Sequence, residues 1–246
     1  MRLAGAHGLD QVVDELIAKI ETIARRNKFR IGGVKPVVTA APRTSDTAPT
    51  AAVARRAVEI IAIGSSTGGV QAAVEVVKRL PRRTRPIVWV QHMPPAFTGS
   101  FAQRLNALGT VHVCEAKNAQ VLQPDTCYIA PGGYQMRVRK AGAQTILNVG
   151  GTERVNGFCP SCDPLFESVS QYYGNNAIGV ILTGMGDDGS RGLLKMRQKG
   201  AFVIGQNEET CVVYGMPKMA YQIGAVNVEA DLVNIPEMIV KLGGGE

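Results

Sequence analysis

The sequence has no apolar run close to the roughly 18 residues that a membrane-spanning helix requires. Its first ten residues also contain no apolar core of the kind found in signal peptides. Its five cysteines are odd in number and have no framework spacing, which is typical of reduced thiols in a cytosol. We therefore expect a cytoplasmic protein without membrane insertion.

A strongly basic folded part is also lacking, although the net charge is +7. Residues 1–57 hold ten Lys and Arg against five Asp and Glu, whereas residues 58–246 hold seventeen against fifteen. The two parts therefore carry net charges of +5 and +2. Because a nucleic-acid enzyme usually has a basic face on its main domain, this distribution argues against a nucleic-acid partner.

The glycine-rich turn G-S-S-T-G-G at residues 64–69 lacks three familiar signatures. It has no Gly-Lys-Ser/Thr ending of a P-loop and no dinucleotide-binding glycine spacing, and it is not the G-x-S-x-G elbow of α/β-hydrolases. Taken alone, the turn fits either an anion bound at a helix N-terminus or a hydroxyl used in chemistry.

Two regions of different character divide the chain. Residues 10–26 have apolar side chains at helical spacing, which predicts an amphipathic helix. Residues 27–56 are rich in Pro, Ala, Thr and Ser without periodicity, which is typical of a linker. We therefore predict a helix and linker over 1–57 and one folded domain over 58–246.

From residue 58 onward, continuous apolar strand runs alternate with helical segments. This pattern predicts an α/β fold with a doubly wound, mostly parallel sheet flanked by helices. A small antiparallel hairpin insertion is expected around residues 128–148. Asp163 is expected to be the N-cap of a helix that runs to Tyr173.

In open parallel sheets, ligands bind beyond the carboxyl ends of the strands. Three predicted strands end in reactive side chains: Ser65 and Ser66 follow the first, His92 the second, and Asp187 and Asp188 the third. A hydroxyl, an imidazole and a carboxylate at one edge are the parts of a nucleophile–base–orienter triad. Spacing alone leaves open which serine and which aspartate take part.

The histidine is chosen by elimination. Only three exist; His7 lies in the N-terminal segment, and His112 points outward on an edge-like strand. His92 alone follows a buried strand. The aspartates have a simpler alternative role, since one of them suffices to cap the helix that begins at Ser190.

No metal or organic cofactor is expected. The Asp187–Asp188 pair has no further carboxylate or histidine at ligand spacing. The C-x-x-C motif of Cys159 and Cys162 lacks the second ligand pair of a structural zinc site. We interpret it as two reduced thiols near the site.

Five motifs between residues 58 and 240 together resemble one known family. They are I-A-I-G-S-S-T-G-G, Q-H-M-P-P-A-F-T, Y-I-A-P-G-G, V-I-L-T-G-M-G-D-D-G and V-V-Y-G-M-P. In this combination and order they resemble the catalytic domain of the chemotaxis protein-glutamate methylesterase/protein-glutamine glutaminase family (CheB). The resemblance implies hydrolysis of γ-glutamyl methyl esters, and deamidation of glutamines, on the cytoplasmic helices of methyl-accepting chemoreceptors.

The resemblance also implies roles for individual residues. Ser66 matches the family nucleophile, His92 the general base and Asp188 the orienting acid. Thr67 and Met185 match positions near the oxyanion and the histidine. This assignment agrees with the triad derived from the strand ends and selects one serine and one aspartate.

Two departures from the family accompany the resemblance. Family members usually carry H-R-P-S-V-D where residues 158–163 of this chain read F-C-P-S-C-D, which predicts an altered substrate preference. The family's N-terminal receiver domain does not fit within residues 1–57, which look like the tail and linker that follow a receiver. A receiver domain or the chemotaxis kinase is therefore an expected partner of the N-terminal segment.

Two rival functions follow from these departures. One is an esterase or amidase that acts on another protein, and the other is a receptor-binding module that has lost turnover. A phosphate- or nucleotide-binding protein ranks behind both.

Overall fold

The computed structural model describes residues 58–243. The predicted helix at 10–26 and the linker lie outside these residues. Within 58–243, nine β-strands and six α-helices follow one another. None of the helices in this range is long and apolar enough to cross a membrane.

The elements are numbered here in chain order. The strands are β1 Ile60–Ser65, β2 Ile87–Gln91, β3 His112–Glu115, β4 Thr126–Ile129, β5 Gln135–Ala141, β6 Gln144–Gly150, β7 Ala177–Ile181, β8 Phe202–Gln206 and β9 Val228–Ala230. The helices are α1 Gly69–Arg79, α2 Pro95–Asn106, α3 Cys162–Tyr173, α4 Ser190–Gln198, α5 Met216–Gln222 and α6 Ile235–Gly243.

Seven of the described strands form one sheet in the order β3-β4-β2-β1-β7-β8-β9. All pairings in this sheet are parallel. Strands β5 and β6 form a separate antiparallel hairpin. The predicted fold class is therefore confirmed. The strand order reverses between β1 and β7, and such a switch point is where open α/β sheets bind ligands.

Successive residues of β1 face opposite sides of the sheet, as the pleat requires. Ile61 and Ile63 belong to one apolar cluster, with residues of α1, α2 and α6. Ile60 and Ala62 belong to the other, with residues of α3, α4 and α5. Gly64 lies on this second face, since a Cβ built there would be 2.8 Å from Cys162 Sγ.

The predicted capping role of Asp163 is wrong. Helix α3 begins one residue earlier, at Cys162, and Ser161 is its N-cap. The buried carboxylate of Asp163 instead accepts the backbone N–H of Gly192, at 2.7 Å. Because Gly192 lies on α4, this bond joins two helices that pack over the same face of the sheet.

Neither aspartate of the β7–α4 loop caps α4 with its side chain. The N-cap is Gly189, in the left-handed conformation, and it makes no side-chain capping bond. The backbone carbonyl of Asp187 accepts the Ser190 N–H instead, at 3.1 Å. The alternative role considered for these aspartates is therefore wrong, and the side chain of Asp188 is turned inward, where it is fully buried.

Candidate active site

The two serines after β1 lie in different surroundings. Ser65 is completely buried; its Oγ donates to Gln91 Oε1 at 2.7 Å and accepts from Trp89 Nε1–H at 2.8 Å. Ser66 is partly exposed, and within the described residues no group is hydrogen-bonded to its Oγ. Its backbone N–H donates to Thr183 O at 3.0 Å, which ties it to the end of β7. The Ser65 hydroxyl is therefore held by hydrogen bonds, whereas the Ser66 hydroxyl is available to react.

His92 lies directly beside this serine pair. Its backbone N–H donates to Ser65 O at 3.1 Å, so the strand pairing of β1 and β2 continues past the strand ends. Its side chain is only 6% exposed, and Nε2 lies 2.7 Å from Asp188 Oδ2. The ring stacks on Phe158, with centroids 3.8 Å apart and planes 9° from parallel.

The second ring nitrogen of His92 is exceptional. Among the buried side-chain nitrogen and oxygen atoms of residues 58–243, Nδ1 of His92 alone has no hydrogen-bond partner. Buried polar atoms are nearly always bonded, so an orphan of this kind indicates a function or a missing partner. A histidine nitrogen with a free lone pair, in a residue whose backbone is bonded to the serine turn, is a candidate general base.

Asp188 is fully buried and accepts four hydrogen bonds. The donors are His92 Nε2 at 2.7 Å, Ser161 Oγ at 2.5 Å, the Cys162 backbone N–H at 2.7 Å and Asn156 Nδ2 at 2.8 Å. Burial raises the pKa of Asp188, but these hydrogen bonds outweigh it and lower the pKa to about 2. The carboxylate is therefore ionised at neutral pH, and His92 Nε2 carries the shared proton.

This lowered pKa predicts how acid affects stability. A depressed carboxyl pKa contributes stability above the unfolded value of 3.8, and the contribution is lost as the pH falls through about 2. Asp188→Asn is expected to lower the free energy of unfolding by about 2 kcal/mol at pH 7. Urea unfolding measured from pH 7 to pH 2 should show this difference shrink in acid. The exposed neighbour provides the control, since Asp187→Asn should leave the profile unchanged at every pH.

A tight turn that sequence reasoning missed holds the histidine and the aspartate in place. Val155 and Phe158 exchange two backbone hydrogen bonds, at 3.0 and 2.9 Å. Between them Asn156 and Gly157 have φ angles of 53° and 84°, as a two-residue Asn-Gly hairpin turn requires. The Asn-Gly dipeptide was the available sequence signal for it.

Two residues of this turn contact the site. Asn156 Nδ2 donates to Asp163 Oδ2 at 2.7 Å and to Asp188 Oδ1 at 2.8 Å, so one amide bridges two carboxylates. Phe158 covers one face of the His92 ring. Phe158 therefore contacts the imidazole itself.

The remaining predicted residues, Thr67 and Met185, are exposed in the two loops that follow β1 and β7. Thr67 is exposed, and its carbonyl accepts the Thr183 hydroxyl at 2.9 Å. Met185 is 72% exposed in the β7–α4 loop. Gly184, just before it, lies so close to the nucleophile turn that a Cβ there would be 2.8 Å from Ser66 Cβ. The oxyanion roles of Thr67 and Met185 stay predictions.

Two open depressions meet at His92. One has a volume of about 520 Å³ and is lined by Phe97 and Arg104, among others. The other has a volume of about 430 Å³ and is lined by Arg154 and Phe158, among others. A chain laid across both depressions would pass over the imidazole, which suits an extended or helical protein segment better than a small enclosed ligand.

The two cysteines of the C-x-x-C motif are free thiols, as predicted. Cys162 is fully buried with its Sγ 3.8 Å from His92 Nε2, and burial together with the Asp188 charge raises its pKa well above the usual value. It is therefore a neutral thiol, not an activated nucleophile. Within residues 58–243, one group of three His, Cys, Asp or Glu side chains has ligand atoms close enough to hold a metal ion together. It consists of His92, Cys162 and Asp188.

Comparison with known proteins gives a consistent result. The CheB methylesterase family model matches residues 61–239. A protein-glutamate methylesterase/protein-glutamine glutaminase of Hahella chejuensis is 43% identical over 242 residues, which cover 96% of this chain and 66% of that protein. One of Agrobacterium fabrum is 46% identical over 231 residues, which cover 93% of this chain and 64% of that protein. The chain therefore spans slightly less than two thirds of these relatives' length.

A solved structure has the same fold. The crystal structure of the Thermotoga maritima CheB methylesterase catalytic domain matches with a TM-score of 0.74 and 36% identity, over 75% of this chain and 98% of that domain. Residues 61–239, which the family model matches, include the ends of β1 and β2 and the β7–α4 loop, where the serine turn, His92 and Asp188 lie. The chain belongs to the CheB methylesterase family.

Proposed function

We propose that this protein hydrolyses glutamyl γ-methyl esters, and deamidates glutamines, on methyl-accepting chemoreceptors through a Ser66–His92–Asp188 triad. The observation that carries the proposal is His92, whose Nε2 is bound to a buried, ionised carboxylate while its buried Nδ1 has no partner beside the serine turn. Family membership supports the ester and amide chemistry.

The reaction follows from the roles of the three residues. Ser66 Oγ attacks the ester carbonyl while His92 Nδ1 accepts its proton, and Asp188 stabilises the resulting imidazolium. His92 returns that proton to the departing methanol and leaves an acyl-serine. Water, activated by the same nitrogen, then releases glutamate and restores Ser66. With a glutamine substrate the leaving group is ammonia.

The negative charge of the tetrahedral intermediate needs donors that are already oriented. We assign this role to backbone N–H groups near Thr67 and Met185, which belong to the two loops that flank Ser66. Such donors stabilise an oxyanion by several kcal/mol in other hydrolases. Both loops are held together by the Thr183 side chain, whose Oγ1 donates to Thr67 O and accepts the Val213 N–H.

The setting of this activity is part of the proposal. Residues 58–246 would form the catalytic domain, and residues 1–57 a helix and linker that connect to a receiver domain or to the chemotaxis kinase. The substrate would be the cytoplasmic helices of a chemoreceptor, which places the protein in the cytoplasm. The aromatic and basic lining of the two depressions, with Phe97, Arg104 and Arg154, is suited to an acidic amphipathic helix.

Methanol release from chemoreceptor-containing membranes methylated with labelled methyl groups tests this function. The full chain is expected to release methanol, and Ser66→Ala is expected to release none above background. Receptor binding without methanol release by the parent protein would favour the binding module. Labelling of Ser66 by a fluorophosphonate without methanol release would favour an esterase or amidase with another protein substrate.

The bridging amide of Asn156 predicts a smaller effect on catalysis. Asn156→Ala removes one of the four donors to Asp188 and is expected to lower kcat about tenfold with little change in KM, because a hydrogen bond to a charged group contributes about 1.5–3 kcal/mol. Asn148→Ala, at an exposed position of β6, is the matched control and should retain full activity. Equal kcat values for the two variants would show that the bridge does not position Asp188.

A further inference from the structure

One buried thiol beside the triad has no part in the hydrolysis proposed above. Cys162 places its Sγ 3.8 Å from His92 Nε2, and Nε2 in turn lies 2.7 Å from Asp188 Oδ2. All three donor atoms lie within 4.8 Å of one another. The side chains of His92 and Asp188 are at most 6% exposed, and Cys162 is fully buried.

The two donor separations that involve the imidazole are near those of a zinc site. With Zn–S near 2.3 Å and Zn–N near 2.0 Å, tetrahedral ligation places sulfur and nitrogen about 3.5 Å apart, and the observed separation is 3.8 Å. The imidazole and the carboxylate would separate by only about half an ångström to admit the ion between them. One thiolate, one imidazole and one carboxylate form a donor set that zinc and softer dications favour.

The surroundings of the three residues also suit a cation. Apart from the imidazole, the hydrogen-bond partners of the Asp188 carboxyl group among residues 58–243 are the uncharged groups of Ser161, Asn156 and the Cys162 backbone, so no fixed cation of this range occupies the place of an ion. The buried carboxyl of Asp163 lies on the other side of the Asn156 amide. Ser161 and Asn156 both bind Oδ1, which fixes the carboxylate with Oδ2 toward the imidazole, as outer groups do around metal sites.

We propose that His92, Cys162 and Asp188 form a binding site for Zn²⁺ or a softer dication such as Cd²⁺, and that occupation of this site switches the hydrolase off. Binding of the ion does not depend on the proposed function, whereas the inhibition rests on it. The metal would be an inhibitor and not a catalytic cofactor.

Inhibition follows from where the protons go. The ion replaces the proton of the Cys162 thiol, which passes to solvent, and it takes the Nε2 lone pair of His92. The neutral imidazole then carries its single proton on Nδ1 instead of Nε2. Since Nδ1 is the nitrogen that must accept the Ser66 proton, the base is lost while the serine remains intact. One proton is released for each ion bound.

Cd²⁺ titration of the full chain tests the binding directly. The parent protein is expected to develop thiolate-to-cadmium absorption in the ultraviolet, to release about one proton per tight site, and to lose the absorption on addition of Zn²⁺. Cys162→Val and Cys162→Ala should both lack the tight site, while Cys159→Ser, at the other end of the same C-x-x-C motif, should keep it. Thermal unfolding of each variant confirms that it is folded.

Zn²⁺ inhibition of ester hydrolysis tests the consequence. With each protein referred to its own metal-free rate, the Zn²⁺ concentration for half inhibition should rise by about tenfold or more in Cys162→Val and stay unchanged in Cys159→Ser. A tight Cd²⁺ site that persists in folded Cys162→Val and Cys162→Ala would overturn the proposed site. Metal binding that leaves hydrolysis unchanged would overturn the switch, and an inactive parent that still binds Cd²⁺ through Cys162 would contradict the proposed function alone.

Discussion

Ser66→Ala is expected to lower kcat for methyl-ester hydrolysis by about 10⁴-fold or more, since removal of a triad nucleophile leaves only the contributions of binding and the oxyanion donors. Its fold should be unaffected, because the Ser66 hydroxyl is partly exposed and has no hydrogen-bond partner within the described residues. Initial rates of methanol release at saturating methylated receptor measure the effect. Thermal unfolding serves as the check on structure.

Ser65→Ala is the matched control and should behave in the opposite way. It removes a hydroxyl that bonds Trp89 and Gln91 in the core and leaves both partners short of a bond. We expect the free energy of unfolding to fall by about 1–3 kcal/mol, with turnover largely retained. If Ser65→Ala lost turnover and Ser66→Ala kept it, the assignment of the nucleophile would be reversed.

Asp188→Asn is expected to lower kcat by about 10⁴-fold, the effect of the equivalent change in another serine hydrolase. An asparagine can present its amide N–H to His92 Nε2, which then becomes the acceptor and leaves the proton on Nδ1. His92 in that tautomer cannot accept the proton of Ser66. Methanol release over a range of pH measures the loss, and KM should change little because Asp188 is buried beneath the histidine.

The exposed neighbour again gives the control for this substitution. Asp187→Asn removes the same charge one residue away and should leave kcat within about twofold of the parent, since surface substitutions of this kind have small effects. Comparable losses in both variants would mean that the charge of the loop matters and the hydrogen bond to His92 does not. The Asp188→Asn loss should therefore be specific to the buried carboxylate.

The sequence was sufficient for the fold class because its strong signals are local. The apolar runs that became β1, β2 and β7 are continuous, which is typical of strands covered on both faces. The order of the strands in the sheet, in contrast, depends on contacts between distant parts of the chain. The placement of β7 beside β1, which creates the switch point, joins residues that are more than a hundred positions apart, and no pattern within either strand specifies the other.

The strand pattern could not distinguish Ser65 from Ser66, or Asp187 from Asp188, because the contacts that separate them come from distant parts of the chain. Ser65 and Ser66 differ in their surroundings because Trp89 and Gln91, on the neighbouring strand, are hydrogen-bonded to the first hydroxyl. Asp187 and Asp188 differ because donors from Asn156 and Ser161 draw the second carboxylate inward. The family resemblance names Ser66 and Asp188, and their catalytic roles stay predictions.

The turn at residues 155–158, which the sequence analysis missed, does have a recognisable sequence pattern. Asn156-Gly157 is a common two-residue hairpin turn, but nothing in its sequence shows that it packs over His92. The wrong capping role of Asp163 has a comparable cause, because an aspartate near a helix start usually caps that helix. Here its carboxylate accepts the backbone N–H of Gly192 instead, and Gly192 lies on α4, the next helix but far along the sequence.

The most direct test of the triad is to find where a serine-directed fluorophosphonate attaches. The native full chain is treated with the reagent, and fragmentation mass spectrometry of the peptide that spans residues 58–78 distinguishes the two serines. We predict a single phosphonyl group on Ser66, formed slowly or not at all in Asp188→Asn. A label on Ser65, or a folded parent protein that takes up no label, would contradict the account.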